Sequence, residues 1–592
     1  GFINLRLTDA FLQQRLLDIN SDLAERLGIE KTDNPENIVV DFSGPNIAKQ
    51  MHVGHLRSTI IGDCICRMFE FAGHNVIRQN HIGDWGTQFG RVILGFWHLC
   101  MADKHGNPYY LSELEKLKEY AKDKERLEEL CCKIRDRHEQ DYLADVYEEH
   151  GEYGDGKRHF GPFLAKVASE EHDIREKIQP VYQFVSTLED SVAGMGLSIP
   201  TRNSQKEPIS IPYESLSRHI TAMLQRGGHE DVQEREAWKI AKHDTLEQCQ
   251  KIYDLLKVTL TEKDVRGESE YKDDLPGIVE DLKKLGLAKE SEGATCVFPE
   301  GFLGKEGDPL PFIIRKSDGA FLYATTDLAA MKYRIGELKA DRIIYVTDAR
   351  QQLHFKMLFA TAKMAGWLDD DIELCHVTFG TMMGTDGRPF KTRSGENVKL
   401  ADLLTEAVEQ AKRVVEEKNA ELSDEQKQEI AKAVGIGAVK YADFSNNRTT
   451  DYVFSFDKML AMEGNTAPYM QYAYARVKSI ERKAVSKGID IAAELAGIKK
   501  LSITEGAESD LAKHLIRYGE AIRLARADCK PNCLTAYLFD LAQKFSSFYN
   551  ACPVLIAGED KRPTRLLLCD LTARTMKHGL NELLGIETVE QM

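Results

Sequence analysis

The chain lacks any uninterrupted apolar run near the roughly 20 residues that a helix needs to cross a bilayer. Its best candidate, Val92 to Ala102, is about half that length and contains His98, so no membrane association is expected. No signal peptide is read at the visible start, which is Gly1. The 12 cysteines include no paired C-x-x-C spacing, and Cys64/Cys66, Cys131/Cys132 and Cys529/Cys533 are not spaced as zinc ligands. Reduced thiols in a cytoplasm and no metal site are the reading. There is no excess of positive charge: 78 Lys and Arg face 94 Asp and Glu, for a net −16. That excludes a general nucleic-acid coat protein but not a ligand held on a local basic island. Finally, no G-x-G-x-x-G turn follows the first strand, which excludes a dinucleotide dehydrogenase.

What is present is a globular composition, 42% hydrophobic and 29% charged, over 592 residues, too many for one core and enough for two to four domains. The organising stretch runs from Asn37 to Gly73. Asn37-Ile-Val-Val-Asp-Phe-Ser43 reads as a buried strand, and Pro45 to His55 as a loop entering a helix. Leu56, Ile60, Cys64, Ile65, Met68, Phe69 and Ala72 keep helical spacing up to Gly73, where the helix should stop. Val76 to His81 is the next strand. Such a crossover places a helix N-terminus, with its unpaired N–H groups, at the carboxyl edge of a parallel sheet, where phosphate is attracted. His52 and His55 share one side of that first turn, with Gly54 between them letting a flat ligand approach. The alternative is a surface histidine pair beside a helix cap.

The run Asp41-Phe-Ser-Gly-Pro-Asn-Ile-Ala-Lys-Gln-Met-His-Val-Gly-His-Leu-Arg-Ser-Thr-Ile-Ile-Gly62 resembles the first signature of class I aminoacyl-tRNA synthetases in its arginyl form. Asn80-His-Ile-Gly-Asp-Trp-Gly-Thr-Gln-Phe-Gly90 resembles the next block of the arginyl-tRNA synthetase family. Within it, His81-Ile-Gly-Asp84 imitates the signature tetrapeptide but has Asp in place of the second His, and reads as site lining.

The expected fold is α/β: a doubly wound, parallel, Rossmann-type sheet with a large, mostly helical insertion and a C-terminal all-α bundle domain. Residues 1–30 resemble the end of a small N-terminal tRNA-binding domain, most of which this sequence would then lack by truncation. Residues 31–400 would form the catalytic domain, with the insertion at about 101–310, and 401–592 the helical anticodon-binding domain. Inside the insertion, 112–150 and 165–190 are charged helical runs, which read mainly as solvated faces. Phe312–Arg315 and Ala320–Tyr323 flank a hairpin turn, and a helix follows from about Thr326 to Leu338. Arg342–Val346 and Glu373–Thr378 are strands, with a helix from about 352 to 365 between them. Helical runs are read around 401–418, 424–441, 457–486, 508–527, 533–550 and 564–580. One of these carries Tyr469, Tyr472, Tyr474, Arg476, Lys478, Arg482 and Lys483, suited either to stacking bases and neutralising phosphates or to a bundle core with solvated cations. The resemblance favours the first.

Arginine recognition requires carboxylates for the planar guanidinium. The resemblance implies that Asp41 and Asp327 face the substrate side chain with Tyr323 beside it. It further implies that Ser43, Pro45, Asn46 and His55 surround the α-amino and carboxylate groups, and that Gln351 is another arginine contact. For Asp41 and Asp327 the residues alone leave strand-end and helix-cap duty open. His52, Gly54 and His55 would bind ATP, accompanied by Mg²⁺. The usual mobile Lys-Met-Ser-Lys-Ser loop is replaced by Met383-Gly-Thr-Asp-Gly-Arg-Pro-Phe-Lys-Thr-Arg-Ser-Gly395, which keeps Arg388, Lys391 and Arg393. Lys49 and Lys391 are expected to divide the phosphate role, with Arg393 also on ATP. The partners implied are tRNA(Arg), L-arginine and ATP; the enzyme is expected to be a monomer that activates arginine once tRNA is bound. A synthetase for another amino acid, a small-molecule adenylyltransferase and an inactive tRNA-binding paralogue are the alternatives.

Overall fold

The computed structural model describes residues 7–22, 25–47, 50–86, 88–104, short stretches between 123 and 202, 208–226, 232–317, 319–390, 398–418 and 421–592. Lys49, Lys391, Arg393, the expected strand at the chain start and most of the charged runs 112–150 and 165–190 lie outside the described residues.

Helix α1, Asp9–Asn20, is capped by Thr8 and buries Leu12, Leu16 and Ile19. The β-branched run forms β1, Asn37–Asp41, in which Ile38, Val39 and Val40 are completely buried. A strand buried on both faces needs helices on both sides. Val40 packs with α2, Val53–Ala72, and with the C-terminal helices; Val39 packs with the opposite layer. Gly73 closes α2 with φ 96°, the left-handed cap its position predicts. β2, Asn75–Ile82, then lies parallel to β1, with Asp41 opposite Gln79.

After α3, Gln88–Lys104, come the antiparallel pair β3, Ser198–Arg202, and β4, Pro208–Pro212, then α4, Leu216–Arg226, and α5, Val232–Leu255. The three-residue β5, Val265–Gly267, extends the parallel sheet beyond β2. The expected insertion therefore supplies a strand of the main sheet. α6, Leu275–Lys284, precedes a second, antiparallel sheet of β6, Ala288–Ser291, β7, Ala294–Val297, and β8, Phe312–Arg315.

The expected hairpin is only half realised. Lys316 N–H bonds to the Ala320 carbonyl and Arg315 bridges Phe321, but β8 pairs along its length with β7. Tyr323 opens α7, Tyr323–Gly336, three residues earlier than the periodicity predicts, because Leu322 adopts the extended cap conformation. β9, Arg342–Asp348, α8, Gln352–Met364, and β10, Glu373–Phe379, complete a parallel sheet ordered β10-β9-β1-β2-β5. This is the doubly wound order, and its switch point lies between β1 and β9, at whose carboxyl ends ligands collect.

Two residues of β11, Met382–Met383, pair with β12, Tyr452–Val453, and bracket α9, Leu400–Lys418, and α10, Asp424–Phe444. The remaining described elements are helical. The run read at 457–486 is broken into α11, Phe456–Met459, and α12, Ala467–Ser486, by Gly464 at φ 82° and Pro468 in the first turn. That read at 508–527 divides at Ile516 and Arg517.

Candidate active site

The first turn of α2 sits at the switch point and is capped by its own histidines. Gly54 N–H donates to Nδ1 of His52 at 3.0 Å, and His52 N–H donates to Nδ1 of His55 at 3.1 Å. With both Nδ1 atoms accepting, each neutral ring carries its proton on Nε2. Burial, then the neighbouring His52, pushes the His55 pKa down to about 3, so this ring is uncharged at neutral pH. The two ring centres are 4.1 Å apart. The turn thus offers neutral N–H donors added to the backbone N–H groups of a helix start. Gly54 has a role the sequence did not disclose: a Cβ there would lie 2.7 Å from Cε1 of His52, so the glycine makes room for that ring.

The loop from β1 is bound tightly to its surroundings. Ser43 has φ 71°, an uncommon conformation for a non-glycine residue. Its hydroxyl meets Tyr253 Oη at 2.8 Å and Thr59 Oγ1 at 3.0 Å, and its N–H donates to Ser58 Oγ. The Ser43 side chain is therefore turned into a buried polar knot. Pro45 is buried, whereas Asn46 is exposed and bridges Gly83 at the end of β2. On the opposite flank Val53 N–H donates to Val398 and Leu400 N–H to Met51, tying the turn to the start of α9.

Carboxylates gather along the same sheet edge. Asp41 ends β1, and its Oδ2 is 2.7 Å from Nη2 of Arg334, a completely buried residue of α7. Burial opposes the charge of Arg334, but Asp41, Tyr345 and Tyr271 outweigh it and hold the guanidinium protonated. Asp327, in the first turns of α7, has Oδ2 2.6 Å from Nε2 of His354 and Oδ1 3.9 Å from Nε2 of His81. Glu268, immediately after β5, is the third acid. Burial, then the charges of Asp327 and Asp84, pushes its pKa up to about 8. Tyr323 stands over the group, 61% exposed, its hydroxyl pKa raised by burial and by Glu268 and Asp327. Asp84, the aspartate of the imitation tetrapeptide, is spent internally on Lys242 and on both donors of Ser269.

The structure brings the expected Asp41, Asp327 and Tyr323 to the same sheet edge as the histidine turn, while Gln351 lies exposed at the cap of α8. Sequence reasoning missed Glu268, Arg334 and His354. A three-residue strand gives no periodic signal, so Glu268 could not be placed, although the short Gly267-Glu268-Ser269 turn signal was there. In α12, Tyr474 is buried, Arg476 stacks between Tyr472 and Tyr549 at 5.0 and 5.3 Å, and Lys478 pairs with Glu481. Much of that aromatic and basic mixture serves packing within the bundle; Arg482 and Lys483 are exposed.

Residues 18–148 and 201–456 match the family described as tRNA synthetases class I (R), catalytic domain, and residues 470–592 match the DALR anticodon binding domain. With the histidine-capped helix at the switch point, this defines a class I aminoacyl-tRNA synthetase. Over its whole length the chain is 44% identical to the arginine–tRNA ligase of Psychromonas ingrahamii and 42% identical to that of Nostoc punctiforme, covering 86% of each. The crystal structure of arginyl-tRNA synthetase from Plasmodium falciparum matches all of the chain and 84% of its own length, with a TM-score of 0.72 at 28% identity. The Thermus thermophilus arginyl-tRNA synthetase, at 22% identity and a TM-score of 0.66, shares the fold. The chain belongs to the arginyl-tRNA synthetase family.

Proposed function

We propose that this chain joins L-arginine to tRNA(Arg) at the expense of ATP. The arginine carboxylate attacks the α-phosphate of ATP and pyrophosphate leaves; the 3′-terminal adenosine hydroxyl of the tRNA then takes the arginyl group and AMP departs. The observation that carries the reading is the grouping of Asp41, Glu268 and Asp327 at the same sheet edge as the His52–His55 turn. Asp327 and Glu268 are the carboxylates we assign to the guanidinium, with Tyr323 against its face. Asp41, already paired with Arg334, keeps its second oxygen toward the substrate side chain, while Pro45, Asn46, His55 and the backbone at Ser43 surround the α-amino and carboxylate groups. Gln351 is kept as a further arginine contact. His52, Gly54 and His55 receive the triphosphate together with Lys49, Lys391 and Arg393, and Mg²⁺ arrives with ATP as part of that substrate. Positioning and charge neutralisation are the main demands of such a transfer.

The domain division at residues 30 and 400, with the helical part reading the anticodon, belongs to the same proposal, as do a monomeric state and a cytoplasmic setting. Among the described residues no helix is long and apolar enough to cross a membrane. The test is pyrophosphate exchange with purified chain and tRNA(Arg), comparing arginine with lysine and glutamine. Exchange with arginine alone, followed by charging of the tRNA, is expected. Exchange with lysine or glutamine at a comparable rate, or none with any of the three, would overturn the reading.

A further inference from the structure

Beside the histidine turn lies a charge that the proposed reaction does not use. Arg57, two residues beyond His55 on α2, is 2% exposed. Its Nη1 donates to the carbonyl of Gly380 at 2.7 Å and of Thr450 at 3.4 Å, and its Nη2 to the carbonyl of Arg448 at 3.3 Å. Nε lies 2.8 Å from Oδ2 of Asp443, itself 1% exposed, and the guanidinium sits 5.2 Å from the Tyr452 ring centre. These partners come from three places: the residue after β10, the last turn of α10, and the turn leading to β12. Arg448 carries the chain of contacts onward, to the carbonyls of Thr378, Cys529 and Asp528.

Burying such a pair costs several kcal/mol of desolvation per ion, and an apolar replacement is often as stable, so packing alone does not call for it. A planar fork with several fixed acceptors does fix relative position. We propose that Arg57 is a positioning residue for the reaction: it registers the His52–His55 turn against the end of β10 and the C-terminal turn of α10, keeping the imidazole donors aimed at the triphosphate. This rests on the functional reading above. The guanidinium carboxylates Asp327 and Glu268 stand on α7 and just after β5, elements that none of these Arg57 contacts reaches, so recognition of the arginine side chain should change little in Arg57 variants.

Arg57→Lys keeps the charge but loses the fork; Asp443→Asn removes the pair from the far side of the junction. Each full-length variant is compared with the parent in arginine-dependent pyrophosphate exchange with tRNA present, and by hydrogen–deuterium exchange. The expected result is a fall in kcat of at least tenfold, a change in KM for arginine below twofold, and amides 53–57 exchanging at least tenfold faster while 37–41 keep their protection. Unchanged kcat and amide exchange in a folded variant would overturn the proposal. So would equal loss of protection in both segments with KM for arginine rising as kcat falls, the mark of a merely structural role. Should Arg57→Lys not fold, Asp443→Asn decides alone. A parent without arginine-dependent exchange refutes the functional reading, whereas the amide data still decide the place of Arg57.

Discussion

At the scale of single residues, Glu268 sets the pH behaviour of the site. Burial first, then Asp327 and Asp84, pushes its pKa up to about 8, so it holds a proton at neutral pH. The folded chain therefore binds this proton at pH values where the unfolded chain has lost it. Stability falls as pH climbs from the ordinary glutamate range toward 8, and the loss is complete above that. A guanidinium reverses the balance, because it pairs with the ionised form. Arginine binding should release a proton, and KM for arginine should fall as pH rises through 8. Glu268→Gln is expected to flatten that dependence and to raise KM by a factor of order ten to a hundred, the ~1.5–3 kcal/mol of a charged hydrogen bond. Steady-state kinetics between pH 6.5 and 9 on parent and variant check both; a KM that keeps its slope in Glu268→Gln would assign the titration elsewhere.

At the scale of elements, the first turn of α2 depends on a missing side chain. Gly54→Ala would place Cβ 2.7 Å from Cε1 and 2.9 Å from Nδ1 of His52, forcing the ring off the N–H it caps. We expect kcat for pyrophosphate exchange to drop on the order of a hundredfold, as for loss of a preorganised donor. Stability should fall by only about 1 kcal/mol, the worth of a cap. Gly277→Ala in α6, where nothing lies within 4 Å of the new carbon, is the control and should leave kcat unchanged. A fully active Gly54→Ala would mean that the His52 ring has no fixed task. The same helix marks what could be read from sequence. Its periodicity, its Gly73 stop and the flanking strands were legible because β-branched runs and 3.6-residue spacing report local structure directly. β5 was not, since three residues cannot display alternation, and with it went the acid that follows. The hairpin at 312–323 is only half realised because the strand that pairs along β8 lies at 294–297, a choice made by tertiary pairing and not by the turn. Ser43 and Asp41 were named as candidates through the resemblance, but their internal partners Tyr253 and Arg334 come from distant segments that no local pattern links to them.

At the scale of the whole molecule, α2 runs from the candidate active site to the C-terminal helices, and its far end meets a second buried cation. Lys440 of α10 is 1% exposed and donates to the carbonyls of Leu256, at 2.6 Å, and Gly585, at 2.7 Å, tying the turn after α5 to the C-terminal segment. Arg67 of α2 reaches the same junction through Lys257 and Glu582 carbonyls and pairs with Asp63 at 2.6 Å. Burial pulls the Lys440 pKa down to about 7; Asp63 works against this, and Arg67 with it. The unfolded chain then binds one more proton than the folded chain between about pH 7 and the ordinary lysine range. Stability should accordingly rise with pH across that window, by ~1–3 kcal/mol allowing for relaxation around the ammonium. Below pH 7 both states are protonated and the contribution is level. Lys440→Met leaves two carbonyls without a donor, a cost that does not vary with pH, so the slope and not the absolute stability is the readout. Urea unfolding of parent and variant at pH 7, 8, 9 and 10 should give a difference between them that widens with pH in favour of the parent. A constant difference would mean that Lys440 keeps its charge throughout, held there by Asp63.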